Sequence, residues 1–147
     1  MQGAEFDPLR LDNQLCFPLY ACAREVVKKY KPFLDAIDLT YTQYVTMMVM
    51  WESGETTSKA IGEKLHLDSG TLTPVIKKLE EKGLVTRRRA VEDERNLVVT
   101  ITDAGRALRR EALCIPGQVG ACIQLSPEEA GTLYRILYKL LGALSDQ

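Results

Sequence analysis

The chain has 147 residues, 46% hydrophobic and 27% charged, with a formal net charge of −1, the profile of one soluble globular unit able to bury a core. No apolar run approaches the roughly 20 residues that span a bilayer, and the acidic start of the chain lacks an apolar leader, so a cytoplasmic protein with no membrane association is expected. Four cysteines form no C-x-x-C pair and His66 is the only histidine, which excludes zinc-finger, zinc-ribbon and thioredoxin-like chemistry; no metal and no cofactor are expected.

In chain order, Asp7-Pro8 joins a capping side chain to a proline at a position whose N–H is not needed. Leu11, Leu15, Leu19, Val26 and Tyr30 recur at helical spacing and predict a helix over 8–30. Pro18 removes the bond to the Gln14 carbonyl and should kink it. Pro32 closes this element, and a short helical piece follows over 33–37. Thr40 caps a helix through Trp51, ended by Ser53-Gly54. Residues 57–65 read as a short amphipathic helix. Asp68 opens another over about 69–82, with Leu72, Val75, Ile76 and Leu79 on one face and Gly83 just past its end. Residues 84–90 and 96–102 are β-prone and joined by a charged turn over 91–95, which makes a hairpin. Thr102-Asp103 caps a helix to about 113, Pro116-Gly117 marks a bend, and Ser126-Pro127-Glu128-Glu129 opens a leucine-rich helix through Leu144.

Helix, turn, helix and ribbon is the order of a winged helix-turn-helix, in a chain that is otherwise mainly α. A major groove roughly 12 Å wide admits one helix, and a basic ribbon beside it reaches backbone or minor groove. The helix over 69–82 would enter the groove. Ser69, Thr71 and Thr73 are short hydrogen-bonding groups suited to base edges and phosphates, and Lys77 and Lys78 suit phosphates. With Lys82, Arg87, Arg88, Arg89 and Arg95 they form a basic concentration in a nearly neutral chain. Pattern alone leaves a second reading open, the solvated faces of an ordinary small helical domain.

The segments Ile61-Gly62-Glu63-Lys64-Leu65, Asp68-Ser69-Gly70-Thr71-Leu72-Thr73-Pro74 and Leu79-Glu80-Glu81-Lys82-Gly83-Leu84-Val85, with Asp93-Glu94-Arg95 before a hydrophobic strand, resemble the MarR family over nearly the whole chain. The resemblance implies a DNA-binding regulator in which Asp93 helps hold the wing and Arg95 contacts DNA. It also implies a homodimer on a pseudo-palindromic duplex site. Helices over about 1–37 and 103–147 would form the two-fold interface, and 40–102 the winged unit with a two-stranded β wing. An isologous interface of that kind would set two recognition helices about 34–36 Å apart, one helical turn of DNA.

Asp12-Asn13-Gln14-Leu15-Cys16-Phe17, with Tyr20, Tyr30 and Leu39-Thr40-Tyr41-Thr42-Gln43-Tyr44, resembles one branch more closely, the organic hydroperoxide resistance regulators. That resemblance implies a repressor whose effector is an organic hydroperoxide. Cys16 would be the reactive thiol, and Tyr30 and Tyr41 of the partner subunit would hydrogen-bond it, with Tyr20 at a further matching position. Only a thiolate attacks peroxide efficiently. On the helix expected over 8–30, Cys16 would lie about two turns in, beyond the reach of the helix dipole, which leaves phenolic O–H groups as stabilisers. By itself, a cysteine on an apolar helix face is more often an inert core residue.

Members of the two-cysteine type resolve the oxidised thiol with a cysteine in the C-terminal region of the other subunit, which implies Cys122 here. Cys114 and a small-molecule thiol remain alternatives, and Cys22 is read as structural. A MarR-type regulator released by an anionic aromatic ligand, with Cys16 idle, is the rival reading. A thiol peroxidase is disfavoured because no regenerating dithiol is evident, so the chain is not expected to be an enzyme.

Overall fold

The computed structural model describes residues 5–92 and 96–145, so Asp93 and Arg95 lie outside the described residues. The elements run α1 (Cys16–Asp35), α2 (Tyr41–Ser53), β1 (Glu55–Thr57), α3 (Ser58–Leu65), α4 (Ser69–Glu81), β2 (Val85–Arg89), β3 (Leu97–Ile101), α5 (Asp103–Ala112), α6 (Ile115–Gly120) and α7 (Pro127–Ser145).

The first helix starts eight residues later than its periodicity suggests. Ahead of it, polar side chains capture the backbone. Asp7 Oδ1 accepts from the Leu9 N–H at 2.9 Å, Asn13 donates to the Asp7 carbonyl at 2.8 Å, and Gln14 donates to the Pro8 carbonyl at 2.7 Å. The outcome is a turn and a single 3₁₀ turn (Leu11–Asn13). Pro18 consequently falls in the first turn of α1, where no carbonyl awaits its missing N–H, and the expected kink has no cause. Pro32 does not close the helix either. Leu34 is buried, Phe33 and Ile37 pack on the core, and this packing carries α1 on as far as Asp35 although Pro32 makes no bond to the Lys28 carbonyl.

Thr40 and Gln43 form a reciprocal capping box at the start of α2, and α2 ends at Gly54. The sheet has three strands, in the order β1-β3-β2, all antiparallel. Strand β1 was not expected: three residues are too few to show a period, and Glu55–Thr57 is strand only because it pairs with β3. Helix α4 starts at Ser69, ahead of Pro74, and stops as expected, with Gly83 in the left-handed region at φ 75°. The bend at Pro116-Gly117 is instead a short helix, α6, with Pro116 in its first turn and Ile115 and Val119 buried.

The core gathers Leu34, Leu39, Tyr44, Met47, Met50, Ile61, Leu72, Ile76, Leu79, Val85, Val99, Ile115 and Val119. It lies between the end of α1, helices α2 to α6 and the sheet. No described residue of α7 is buried. Leu133, Ile136, Tyr138 and Leu144 are exposed there, as are Leu15, Phe17 and Leu19 at the start of α1. Two apolar surfaces at the ends of the chain thus stand outside its own core, more than scattered surface apolar residues explain.

Candidate functional site

Helices α3 and α4 are joined by a tight turn with a well-defined stop. His66 adopts the left-handed conformation at φ 55°. The Leu67 N–H donates to the Gly62 carbonyl at 3.0 Å, closing a Schellman-type end. Asp68 then caps α4, its Oδ1 accepting from the Thr71 N–H at 2.7 Å. The Thr71 hydrogen bonds hold the Asp68 carboxyl below its ordinary range. Ile61, Leu72, Ile76 and Leu79 are buried, which turns the opposite face of α4 outward: Ser69, Thr71, Thr73, Lys77 and Lys78 are all exposed. Thr73 Oγ1 donates to the Ser69 carbonyl at 2.7 Å, and Lys78 pairs with Glu81 at 3.3 Å.

The hairpin stands beside this helix. Arg87 is half-buried, and its guanidinium donates to Glu80 Oε1 at 3.1 Å while its N–H donates to Glu80 Oε2 at 3.1 Å. This clamp between wing and α4 keeps the Glu80 carboxyl low. Arg88 is exposed and pairs with Glu55 of β1 at 3.3 Å. Arg89 is exposed next to it.

All four cysteines are free and exposed. Cys16 is the first residue of α1, which corrects its expected place two turns into a helix. Helix N-termini favour nearby anions, a feature that the expected place did not offer. Tyr20, one turn on, is exposed, with the Arg24 guanidinium 5.6 Å from its ring centre.

Tyr30 and Tyr41 do come together, ring centres 5.0 Å apart and edge to face. Tyr44 completes the cluster at 5.7 Å from Tyr30 and 6.3 Å from Tyr41. Burial raises the pKa of all three above 10.0, so each is a neutral O–H donor at neutral pH. Cys16 and Tyr30 are fourteen residues apart on one helix, about 21 Å along its axis at 1.5 Å per residue. The thiol and the tyrosine pair of one chain therefore do not meet.

Cys114 precedes α6 and Cys122 follows it. Their sulfurs lie 3.7 Å from the Glu111 carbonyl oxygen and 3.6 Å from that of Gln118. Helix α6 packs on α1. Cys22 is exposed on the second turn of α1. Glu80 was not singled out from the sequence; Lys82 was named only as one of the basic group, and Gln43 and Tyr44 only within the segment over 39–44, without the contacts they make here. The Thr40-x-x-Gln43 spacing of a capping box was the one local signal for any of them.

The chain matches the family described as transcriptional regulator SarA/Rot over residues 28–111. It is 46% identical over 140 residues to the organic hydroperoxide resistance transcriptional regulator of Bacillus subtilis strain 168, with 95% of each chain covered. It is also similar to the solved structure of reduced AbfR bound to DNA, AbfR being a Staphylococcus epidermidis protein. There the identity is 33%, 94% of each chain is covered and the TM-score is 0.78. For the disulfide-formed AbfR the identity is again 33%, with 95% of this chain and 94% of that one covered, but the TM-score is 0.62.

Proposed function

Because the chain belongs to the MarR-type transcription regulators, in the branch of the organic hydroperoxide resistance regulators, we propose that it senses organic hydroperoxides through Cys16 and loosens its hold on DNA in response. The protein is a transcription regulator that binds DNA. In the finer reading it is a repressor, with 40–102 as the DNA-reading unit and the segments over 1–37 and 103–147 as the dimer interface. The exposed apolar faces of α7 and early α1 support an isologous contact that buries both.

At the duplex, Ser69, Thr71 and Thr73 meet base edges and nearby phosphates, and Lys77, Lys78, Arg88 and Arg89 neutralise phosphates. Arg87 holds the wing against α4 through Glu80, whose carboxylate balances its charge. Arg95 reaches DNA from the wing tip that Asp93 steadies.

The observation that carries the sensor reading is the placement of Cys16: a free, exposed thiol at the head of α1, about 21 Å along that helix from Tyr30, which pairs with Tyr41 at the head of α2. A two-fold axis that crosses the two α1 helices head to tail brings the thiol of one subunit to Tyr30 and Tyr41 of the other. The neutral phenols then donate to the thiolate and to the peroxide oxygen. The thiolate attacks the peroxide, the O–O bond breaks, and the sulfenic acid and an alcohol form with no net change in protons: Cys–SH + ROOH gives Cys–SOH + ROH. The thiol of Cys122 in the other subunit then displaces hydroxide from the sulfenic sulfur, and a disulfide and water result. Such a bond needs Cα atoms about 4.4–6.8 Å apart, so closing it pulls the segment after α6, and α6 rests on α1.

The test is to treat reduced protein with an organic hydroperoxide or hydrogen peroxide and to follow each cysteine by mass spectrometry and non-reducing electrophoresis, alongside Cys16→Ser and Cys122→Ser. Selective loss of the Cys16 thiol, with a cross-linked dimer that requires Cys122, is expected. If Cys16 reacts no faster than Cys22, the sensor reading is wrong.

One observation favours the ligand-released alternative. An open cavity of ≈1260 Å³ lies between the end of α7 and helices α3 and α4, with Lys59, His66, Ser69 and Ser145 in its lining. Lys59 supplies a cation there, beside the carboxylates of Glu63 and Asp68. Release of DNA by an anionic aromatic compound from the Cys16→Ser protein would favour that reading.

A further inference from the structure

Lys82 caps the C-terminal end of α4, and its ammonium crosses to the turn that precedes α2. It donates to the Asp38 carbonyl and, at 2.9 Å, to Gln43 Oε1, and it lies 3.6 Å from the Asp38 carboxylate. Gln43 is 7% exposed. The same Oε1 accepts from the Thr40 N–H at 3.1 Å, while the Gln43 N–H donates to Thr40 Oγ1 at 3.3 Å. One buried amide oxygen thus joins the capping box of α2 to the end of α4. Asp38 sits in the left-handed region at φ 54°, which presents its carbonyl to Lys82.

Tyr41 is the first residue of α2, within that capping box, and its ring rests on Tyr30 at 5.0 Å. Two residues before Lys82, Glu80 grips the wing through Arg87. The tyrosine pair, the end of the recognition helix and the wing are therefore linked in sequence by a ring contact, the α2 capping box, the Lys82 bridge and the last turn of α4; the Lys82 side chain is 26% exposed and the Asp38 carboxylate 92%, so the bond to buried Gln43 is the one that salt screens least.

We infer that Lys82 is a positioning residue that couples the Tyr30–Tyr41 pair to the orientation of α4 on DNA. A shift of the α2 start moves Asp38 and the Gln43 amide, and Lys82 carries that shift to the C-terminal end of α4. The inference rests on the peroxide reading only for what displaces Tyr41. The coupling itself belongs to the reduced chain and is measurable there. Spatial intermediacy alone is no proof of coupling, so the experiment is a double-mutant cycle.

Reduced full-length wild type, Tyr41→Ala, Lys82→Met and the double variant are titrated against a duplex obtained by binding selection with this protein. In the Lys82 background, Tyr41→Ala weakens binding by a factor in the range of about 5–150, the usual span of coupling between sites. In the Lys82→Met background, the same change costs less than about twofold, the scatter of uncoupled sites. Lys82→Arg, which keeps a donor for Gln43 and Asp38, restores the wild-type response, an effect that loss of packing alone does not produce. If Lys82→Met does not fold, Gln43→Leu removes the shared acceptor and takes its place in the cycle. Equal effects of Tyr41→Ala in both backgrounds overturn the inference.

A second arm adds organic hydroperoxide. Lys82→Met loses most of the wild-type DNA release while its Cys16 is consumed at the wild-type rate; release at the wild-type ratio also overturns the coupling. A wild type that does not respond to hydroperoxide refutes the sensor reading instead, and the cycle on reduced protein still decides the coupling.

Discussion

Replacing Gly62 with alanine tests whether the turn between α3 and α4 is what aims the recognition helix. A Cβ at Gly62 would sit 2.8 Å from the Leu67 carbonyl oxygen, where ordinary contacts are 3.4–4 Å. The obstacle is backbone, and the Leu67 N–H is itself bonded to the Gly62 carbonyl, so neither side moves alone. The turn must open by about 0.6 Å, a distortion of the kind that costs about 1–3 kcal/mol in a packed site. Alanine returns about 1 kcal/mol of helix propensity, which leaves a net loss of about 0–2 kcal/mol. Gly131 in α7 is the control, because nothing lies within 4 Å of a Cβ there. Gly131→Ala keeps the whole propensity gain, about 1 kcal/mol. Urea unfolding should therefore separate the two variants by about 1–3 kcal/mol. Only Gly62→Ala should lose DNA affinity, since only there does α4 shift against α3. If both variants gain equal stability and bind DNA as wild type does, the turn does not set the helix.

Lys77→Ala and Arg89→Ala should each weaken DNA binding regardless of sequence and flatten the salt dependence by about one unit of slope; unchanged slopes would remove these residues from the phosphate contacts. Glu80→Gln should flatten the acid side of the stability profile. The native carboxyl is held below its ordinary value of 4.5 by Arg87, so its contribution is present above that value and lost as pH falls through the native one. Wild type should thus lose stability below about pH 4.5 more steeply than the variant, as read by thermal unfolding in a pH series. Ile136→Asp places a charge on the exposed apolar face of α7 and should shift the protein to monomer by light scattering, with loss of tight DNA binding. A variant that stays dimeric would move the interface off α7.

How much of this was legible beforehand differs between elements for physical reasons. The winged unit could be read because its signals are local: Asp68 as a cap, Gly83 at a helix end, a polar turn between two β-prone runs, and a buried face at Leu72, Ile76 and Leu79. The start of α1 could not. Apolar spacing from Leu11 to Tyr30 does suit a helix, but the Asp7 carboxylate takes the Leu9 N–H while Asn13 and Gln14 take the Asp7 and Pro8 carbonyls, and propensity carries no weight against those bonds. Strand β1 and the Lys82–Gln43 contact depend on partners far along the chain, which no periodicity reports. The tyrosine pair was named from resemblance, and its geometry, with Tyr44 as a third ring, came only with the fold. Cys16 was found by motif, but its place at the head of a helix was misjudged because the helix itself was.

The central claim, that Cys16 reads hydroperoxide and DNA binding answers, is tested most directly by one titration. Reduced wild type and Cys16→Ser, each bound to labelled duplex, receive increasing organic hydroperoxide while fluorescence anisotropy reports DNA release. Release of the wild type near one equivalent per subunit, reversed by thiol reductant and absent from Cys16→Ser, is the predicted result. Equal release of both proteins, or a wild type that stays bound although its Cys16 is fully oxidised, would contradict it.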